Sequence, residues 1–306
     1  MFHQPVLLKE SIDLLIHTET GIYVDGTLGG GGHAELILER LRQPGRLIGL
    51  DRDRDALQIA KSRLERFGGR VIIKQANLGD MGEVLKSLQL NLVSGVLLDL
   101  GVSSHQIDTA ERGFSFSKNG KLDMRMNREQ TITAAHIVNS YSERELSELL
   151  KSYGEERRHR ALAQAIAKRR QRSPIQTTGE LTDIISAVLP YEHRVKSLAR
   201  VFQALRIAVN DELQNLKTAL SECLDHITAG GRLVVISYHS LEDRIVKEFF
   251  KSESSRCVCP PELPVCICGR KGRLATLTKR PLRPTHQEVQ RNPRSRSARL
   301  RAAEAL

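Results

Sequence analysis

The chain has 306 residues, 40% of them hydrophobic, with 47 Lys and Arg against 36 Asp and Glu and a formal net charge of +11. That length and apolar content suit one large or two modest folded domains and exclude a disordered polyelectrolyte. No apolar run reaches the roughly 20 residues a membrane span needs, and Lys9, Glu10 and Asp13 break the N-terminal apolar stretch, so no membrane partner or signal-peptide core is expected and the cytosol is the expected compartment.

In chain order, Ile22-Tyr23-Val24 reads as a buried strand ending at Asp25. A glycine loop follows, Gly26-Thr27-Leu28-Gly29-Gly30-Gly31-Gly32-His33, then a helical stretch over Ala34–Leu41. Arg46–Leu50 is a second strand, ending at Asp51, and Asp53 is placed to cap the helix carrying Ala56, Leu57, Ala60 and Leu64 on one face. Val71–Lys74 and Val93–Leu98 are further strands, the latter ending at Asp99. Strand and helix alternate here, which predicts a parallel sheet covered by helices. From about residue 108 the rhythm changes. Residues 108–130 are polar and irregular, and a helical block runs from Thr133 to Leu189, with capping-box signatures at Ser142/Glu145 and Thr177/Glu180. Ser197–Leu224 reads as one long amphipathic helix. Gly230-Gly231 turns into a strand over Arg232–Ser237, Ser240 is placed to cap the helix Leu241–Lys251, and Leu274–Thr278 pairs with Ser297–Ala303 as closing strands. The expected organisation is residues 1–107 as the first part of an α/β core, 108–196 as an all-helical insertion, and 197–306 as the second part of the core.

Two signals point to a nucleotide-type cofactor. Consecutive glycines between a strand and a helix let backbone approach a ligand closely, and Gly29-x-Gly31-x-x-Ala34 fits the loose dinucleotide fingerprint. Asp51, at the end of the second strand, is suited to accept both ribose hydroxyls because a carboxylate only accepts. These two leave NAD and S-adenosylmethionine both open. Asp99 ends a neighbouring strand and points into the same crevice. The charge is distributed unevenly. Arg157, Arg158, Arg160, Lys168, Arg169, Arg170 and Arg172 form one basic run, and residues 256–306 hold twelve Lys and Arg against three Glu. Two such clusters suit contact with a phosphate backbone. With no Trp, recognition by many stacked bases is not expected, although a single flipped base needs only one or two aromatic platforms.

Cys257-x-Cys259 and Cys266-x-Cys268 make a compact four-sulfur set, tighter than the usual structural zinc spacing. Zinc and a thiol-bearing loop near RNA both stay open, and no metal is assigned to the site.

Longer motifs narrow the reading. They are His3-x-Pro5-Val6-Leu7-Leu8-x-Glu10, the loop ending Gly31-Gly32-His33, Asp51-Arg52-Asp53, Asp99–Gln106 and Glu111–Met126. Further on come Tyr153-Gly154-Glu155-Glu156, Phe202–Ile207, Ser237-x-His239-Ser240-Leu241-Glu242-Asp243-Arg244 and Asn292–Ser297. Through these the chain resembles, over nearly its whole length, the bacterial 16S ribosomal RNA (cytosine-N4) methyltransferase family, MraW. The resemblance implies a doubly wound, Rossmann-like class I methyltransferase core with an inserted helical domain. It implies S-adenosylmethionine as cofactor, contacted by Gly31, Gly32, His33, Asp51, Leu78, Asp99 and Gln106. It also implies 16S ribosomal RNA as partner, within the small ribosomal subunit, with a homodimer as a further candidate assembly. Leu78 departs from the family, which often has Phe there, and Lys121 stands where many relatives carry Pro. The catalytic expectation is that Asp99 positions the cofactor or the amine and His239 lies near the base, with a structural hydrogen bond at the helix start as the competing role for His239. Rival readings are an NAD-dependent dehydrogenase and a non-catalytic RNA-binding module.

Overall fold

The structure is a computed structural model that describes residues 5–255, 257, 259 and 268–306. It divides into two compact units, one made of Met1–Gly101 with Leu213–Leu306 and the other of Val102–Glu212.

The first unit is a seven-stranded mixed sheet. Its strands are β1 (Ile22–Asp25), β2 (Arg46–Asp51), β3 (Val71–Gln75), β4 (Val93–Asp99), β5 (Ile227–Ser237), β6 (Leu274–Thr276) and β7 (Arg299–Ala305), in the spatial order β3-β2-β1-β4-β5-β7-β6. β1 to β5 run parallel, and β7 is antiparallel to both β5 and β6. The expected closing pair near the C-terminus therefore forms as β6 and β7. Alternation along the strands feeds two cores. Val24, Ile48, Val96, Leu98, Leu233 and Val235 face one, and Tyr23, Leu47, Leu97, Val234 and Ile236 the other. Burying each such aliphatic side chain contributes roughly 1.5–3 kcal/mol.

Helices cover both faces. One core takes α1 (Leu8–Leu15), α2 (Gly32–Arg40) and α3 (Arg54–Leu64), and the other takes α4 (Met81–Ser87) with two later helices. Asp53 caps α3 as expected, accepting the Asp55 N–H at 3.1 Å. The chain leaves β1 for β2 and β3 on one side and returns to β4 and β5 on the other. The carboxyl ends of β1 and β4 thus flank a topological switch point, where open α/β sheets form their ligand crevice.

The second unit is helical: α5 (Ser104–Asp108), α6 (Ala134–Ser140), α7 (Glu143–Gly154), α8 (His159–Arg170), α9 (Thr178–Val188) and α10 (Tyr191–Asn210). The capping boxes at Ser142/Glu145 and Thr177/Glu180 form as the sequence predicts. The expected boundaries at 108 and 196 both fall inside this unit. α10 belongs to it because Leu198, Val201, Phe202, Leu205 and Val209 pack with Leu146, Leu150, Leu162 and Ile185.

The single helix expected over 197–224 is two helices, α10 and α11 (Glu212–His226), broken at Asp211, whose φ is 47°. Arg206 forks onto Glu212 across the break, at 2.9 and 2.8 Å. The irregular 108–130 segment is held from within its own unit. Buried Arg112 donates to the carbonyls of Arg125 and Met126, Asn210 bonds Met124 O and the Met126 N–H, and Arg125 pairs with Asp123. Burial by itself would raise the Asp123 pKa, but the Arg125 bonds outweigh it and hold the carboxyl below its usual value.

The remaining helices are α12 (Ser240–Ser254) and α13 (His286–Arg291). The cap of α12 is His239 rather than Ser240. Its ring accepts the Glu242 N–H while Glu242 returns to the His239 N–H, so Ser240 is already the first helical residue.

Candidate functional site

Three parallel strands, β1, β2 and β4, each end in an aspartate at the same edge of the sheet. β1 is extended past Asp25 by Gly26 N–H to Leu97 O and Leu28 N–H to Leu50 O, at 2.9 and 2.8 Å. The loop therefore stays pinned between β2 and β4 until it turns at Gly31. Gly31 sits at φ 79°, which favours glycine, and it precedes α2 with no side chain to cap the helix. Gly32 serves another purpose: a Cβ there would meet Pro5 Cγ at 2.3 Å, so packing against the N-terminal segment requires its absence.

Asp51 is fixed at both oxygens, Oδ2 accepting the Gly29 N–H and Oδ1 the Asp53 N–H, each at 2.8 Å. Burial raises its pKa, and these two N–H donors oppose the rise. Each oxygen keeps a lone pair for a further donor. Leu78 flanks the same loop. It packs partly buried against the sheet core, its Cβ 4.0 Å from where a Cβ on Gly26 would stand.

Asp99 is the most elaborately held of the three. Its N–H donates to Thr27 Oγ1 at 2.6 Å, its Oδ1 accepts the Tyr238 hydroxyl at 2.9 Å, and its Oδ2 lies 3.6 Å from His33 Nδ1. The buried Tyr238 phenol is pushed well above its usual pKa by burial first and by Asp99 second, so it stays a proton donor. His33 Nε2 lies 3.1 Å from Val6 O. A carbonyl only accepts, so Nε2 carries the proton. Burial lowers the His33 pKa against the opposing pull of Asp25. Its other ring nitrogen, Nδ1, faces Asp99.

Asp25 is buried, and its pKa is raised to about 7. Burial dominates. His33 and the Thr27 N–H pull it down, while Asp99 and Asp51 push it up. Such a crevice favours a ligand that brings positive charge and hydroxyl donors.

The structure thus gathers Gly31, Gly32, His33, Asp51, Leu78 and Asp99 around one sheet edge in the first unit. His239 lies in the same unit, directly after Tyr238, but its Nδ1 is committed to the Glu242 N–H and its Nε2 lies 3.1 Å from Glu242 Oε1. Gln106 belongs to the helical unit, where it is buried and completes the capping box of α5 with Ser103. Thr27 and Tyr238 are the residues that sequence reasoning missed. Tyr238 reads as one more core ring, but its place immediately after β5, a strand ending at the crevice, was the available signal.

The basic runs are sorted by the fold. Arg157, Arg158, Arg160, Lys168 and Arg172 are exposed on the helical unit, whereas Arg169 and Arg170 bond Ser173 and Val138 O. In the first unit, Arg299 and Arg301 both grip Asp243, while Lys279, Arg280, Arg283, Arg294 and Arg296 point outward. Among the described residues, no helix is long and apolar enough to cross a membrane.

Comparison with known proteins agrees over the whole chain. Residues 1–306 match the MraW methylase family. A relative from Syntrophus aciditrophicus (strain SB), named ribosomal RNA small subunit methyltransferase H, is 50% identical over 308 residues, covering 100% of this chain and 98% of the relative. A relative of the same name from Geobacter sulfurreducens is 52% identical over 307 residues, covering 99% of each. Among solved structures, an rRNA methylase from Streptococcus thermophilus aligns with a TM-score of 0.44 at 10% identity, over 98% of this chain and 93% of that one.

Proposed function

Because this chain belongs to the MraW methylase family, we propose that it transfers a methyl group from S-adenosylmethionine to the exocyclic N4 amine of a cytidine in small-subunit ribosomal RNA, in the cytoplasm. The RNA half of this reading rests on relatives that carry the name at 50% and 52% identity over nearly their full length. The cofactor half is carried by one observation, the gathering of Asp25, Asp51 and Asp99 around the glycine loop.

The donor set fits that cofactor. Asp51 keeps one lone pair on each fixed oxygen, which matches two ribose hydroxyls. Carboxylates at Asp25 and Asp99 match a ligand that carries a sulfonium and an ammonium, whereas the pyrophosphate of a dinucleotide would meet like charge. Leu78 offers an apolar surface beside the loop for the adenine. When bound, S-adenosylmethionine supplies an electrophilic methyl group on a positively charged sulfur.

The chain's own task is to orient a poor nucleophile. The amine lone pair of cytosine is delocalised into the ring, so the base must be held in line and the amine given an acceptor. Asp99 is the proposed acceptor. Thr27 anchors its backbone, Tyr238 fixes Oδ1, and Oδ2 faces His33 Nδ1, so the carboxylate is held in one orientation at the sheet edge. His239 enters as a positioning residue, because its ring caps α12 and so shapes the turn that carries Tyr238. The exposed basic residues in and around α8 (Arg157, Arg158, Arg160, Lys168, Arg172) and the exposed arginines of the C-terminal segment supply the phosphate contacts.

Ribosomal RNA from a strain lacking this gene should lose one N4-methylcytidine, and plasmid-borne wild-type protein should restore it. An unchanged modification map would refute the substrate assignment. Calorimetric titration should show S-adenosylmethionine binding and no heat with NAD; the reverse would favour the dehydrogenase reading. We place the target within the assembled subunit, so naked RNA should be methylated more slowly than isolated small subunits.

A further inference from the structure

The segment between α12 and β6 is long and lacks secondary structure among its described residues, yet its ends are fastened together. Ser254 Oγ lies 3.1 Å from Thr276 Oγ1, the Arg273 N–H donates to Glu253 O at 2.8 Å, and Arg270 pairs with Glu253 at 3.0 Å. Inside this closed loop, the sulfurs of Cys257, Cys259 and Cys268 all lie within 4.8 Å of one another, and those of Cys257 and Cys268 are 3.9 Å apart. None of the three is joined in a disulfide. Cys266, the other cysteine of the segment, lies outside the described residues.

From this arrangement we propose that Cys257, Cys259 and Cys268 form a structural zinc site that staples the loop. A tetrahedral Zn(II) with Zn–S bonds of about 2.3 Å holds its thiolates about 3.8 Å apart. The Cys257–Cys268 separation meets that spacing and is about twice a disulfide bond. The local backbone is shaped for a metal as well. The Cys259 N–H points at Cys257 Sγ at 3.4 Å, a bond that favours the thiolate and orients it. Ser255 Oγ bonds both the carbonyl and the N–H of Cys257, at 2.5 and 3.3 Å. Gly269, directly after Cys268, adopts φ 59° and lets the chain turn away from the cluster.

Soft thiolates select zinc over the hard cations magnesium and calcium. Three of them fill three of the four positions zinc takes, and cross-linking a loop of roughly 18 residues lowers the entropy of its open state. Ser254 and Ser255 also line a pocket with Lys247, Lys251 and Lys279, so the staple fixes one wall of a basic surface.

The test uses full-length protein, incubated with zinc, desalted, and measured for metal by mass spectrometry. Wild type and Cys223→Ala, which alters a buried core thiol, should each hold about one zinc per chain, and Cys257→Ser/Cys268→Ser less than about a tenth. Zinc at background in wild type, or undiminished in the double variant, overturns the proposal. Should the double variant not fold, cobalt loaded into wild type decides. Intense visible bands with thiolate charge transfer support the site, and the weak bands of oxygen-bound octahedral cobalt overturn it.

Discussion

Cofactor binding should be linked to a proton at Asp25. This carboxyl is buried beside His33 and has its pKa raised to about 7. A cationic cofactor prefers the ionised form. At pH 8 about ten in eleven molecules are ionised at Asp25, and at pH 6 about one in eleven, so the apparent Kd should rise about tenfold between them, near 1.4 kcal/mol. Acidification therefore weakens binding. Stability of the cofactor-free protein moves the other way. A carboxyl whose folded pKa is raised contributes stability that is full below the unfolded value of 3.8 and is lost as pH rises through about 7. The thermal stabilisation conferred by the cofactor should consequently be larger at pH 8 than at pH 6. The assay is calorimetric titration at several pH values in two buffers of different ionisation enthalpy, with Asp25→Asn as the baseline that subtracts titration of the cofactor's own amine. Proton release in wild type near pH 6.5, absent from Asp25→Asn, is expected. Identical pH dependence in the two proteins would show the reasoning to be wrong.

Other expectations follow from the same geometry. Asp51→Ala removes two charge-assisted acceptors and frees the Gly29 and Asp53 N–H groups, so the cofactor Kd should rise about 100-fold or more by titration. Tyr238→Phe takes one hydrogen bond from Asp99; single-turnover kinetics should show a rate about tenfold lower with cofactor Kd changed less than about twofold, and an equal loss in both would rule out a role in orienting the acceptor. Gly32→Ala forces a methyl group onto Pro5 and should destabilise the protein by roughly 1–3 kcal/mol, read as a lowered urea midpoint. Arg157→Glu/Arg158→Glu should weaken binding to ribosomal RNA and flatten its salt dependence by about two counterions while leaving cofactor affinity unchanged.

Much of the core was legible because strands announce their ends. Each of Ile22-Tyr23-Val24, Arg46–Leu50 and Val93–Leu98 is an apolar run stopped by an aspartate, and a parallel sheet brings those aspartates to one edge. The capping boxes were equally plain, since their four-residue signature is local. What escaped was non-local. The apolar period runs without interruption from α10 into α11, and nothing in it marks Asp211 as left-handed; the break is fixed by Arg206 meeting Glu212 and by Asn210 reaching the Met124–Met126 segment. Arg112 reads as one more basic residue, but its guanidinium is buried to hold carbonyls 13 and 14 residues away. Tyr238 and Asp99 are separated by 139 residues, so their bond leaves no trace in spacing.

The order β3-β2-β1-β4-β5-β7-β6 also has a bearing on how the protein is made. β4 must wait for its partner β5 while about 110 residues of helical unit are synthesised between them, a late, long-range pairing of the kind that slows folding. Among the described strands β6 pairs only with β7, so that pairing waits until Arg299–Ala305 emerges. While the helical unit is synthesised β4 thus presents an open strand edge, the kind of edge that invites aggregation. The helical unit carries its own core and its own caps. It is built to fold during that interval, and synthesis of the last strand, rather than any earlier event, completes the sheet.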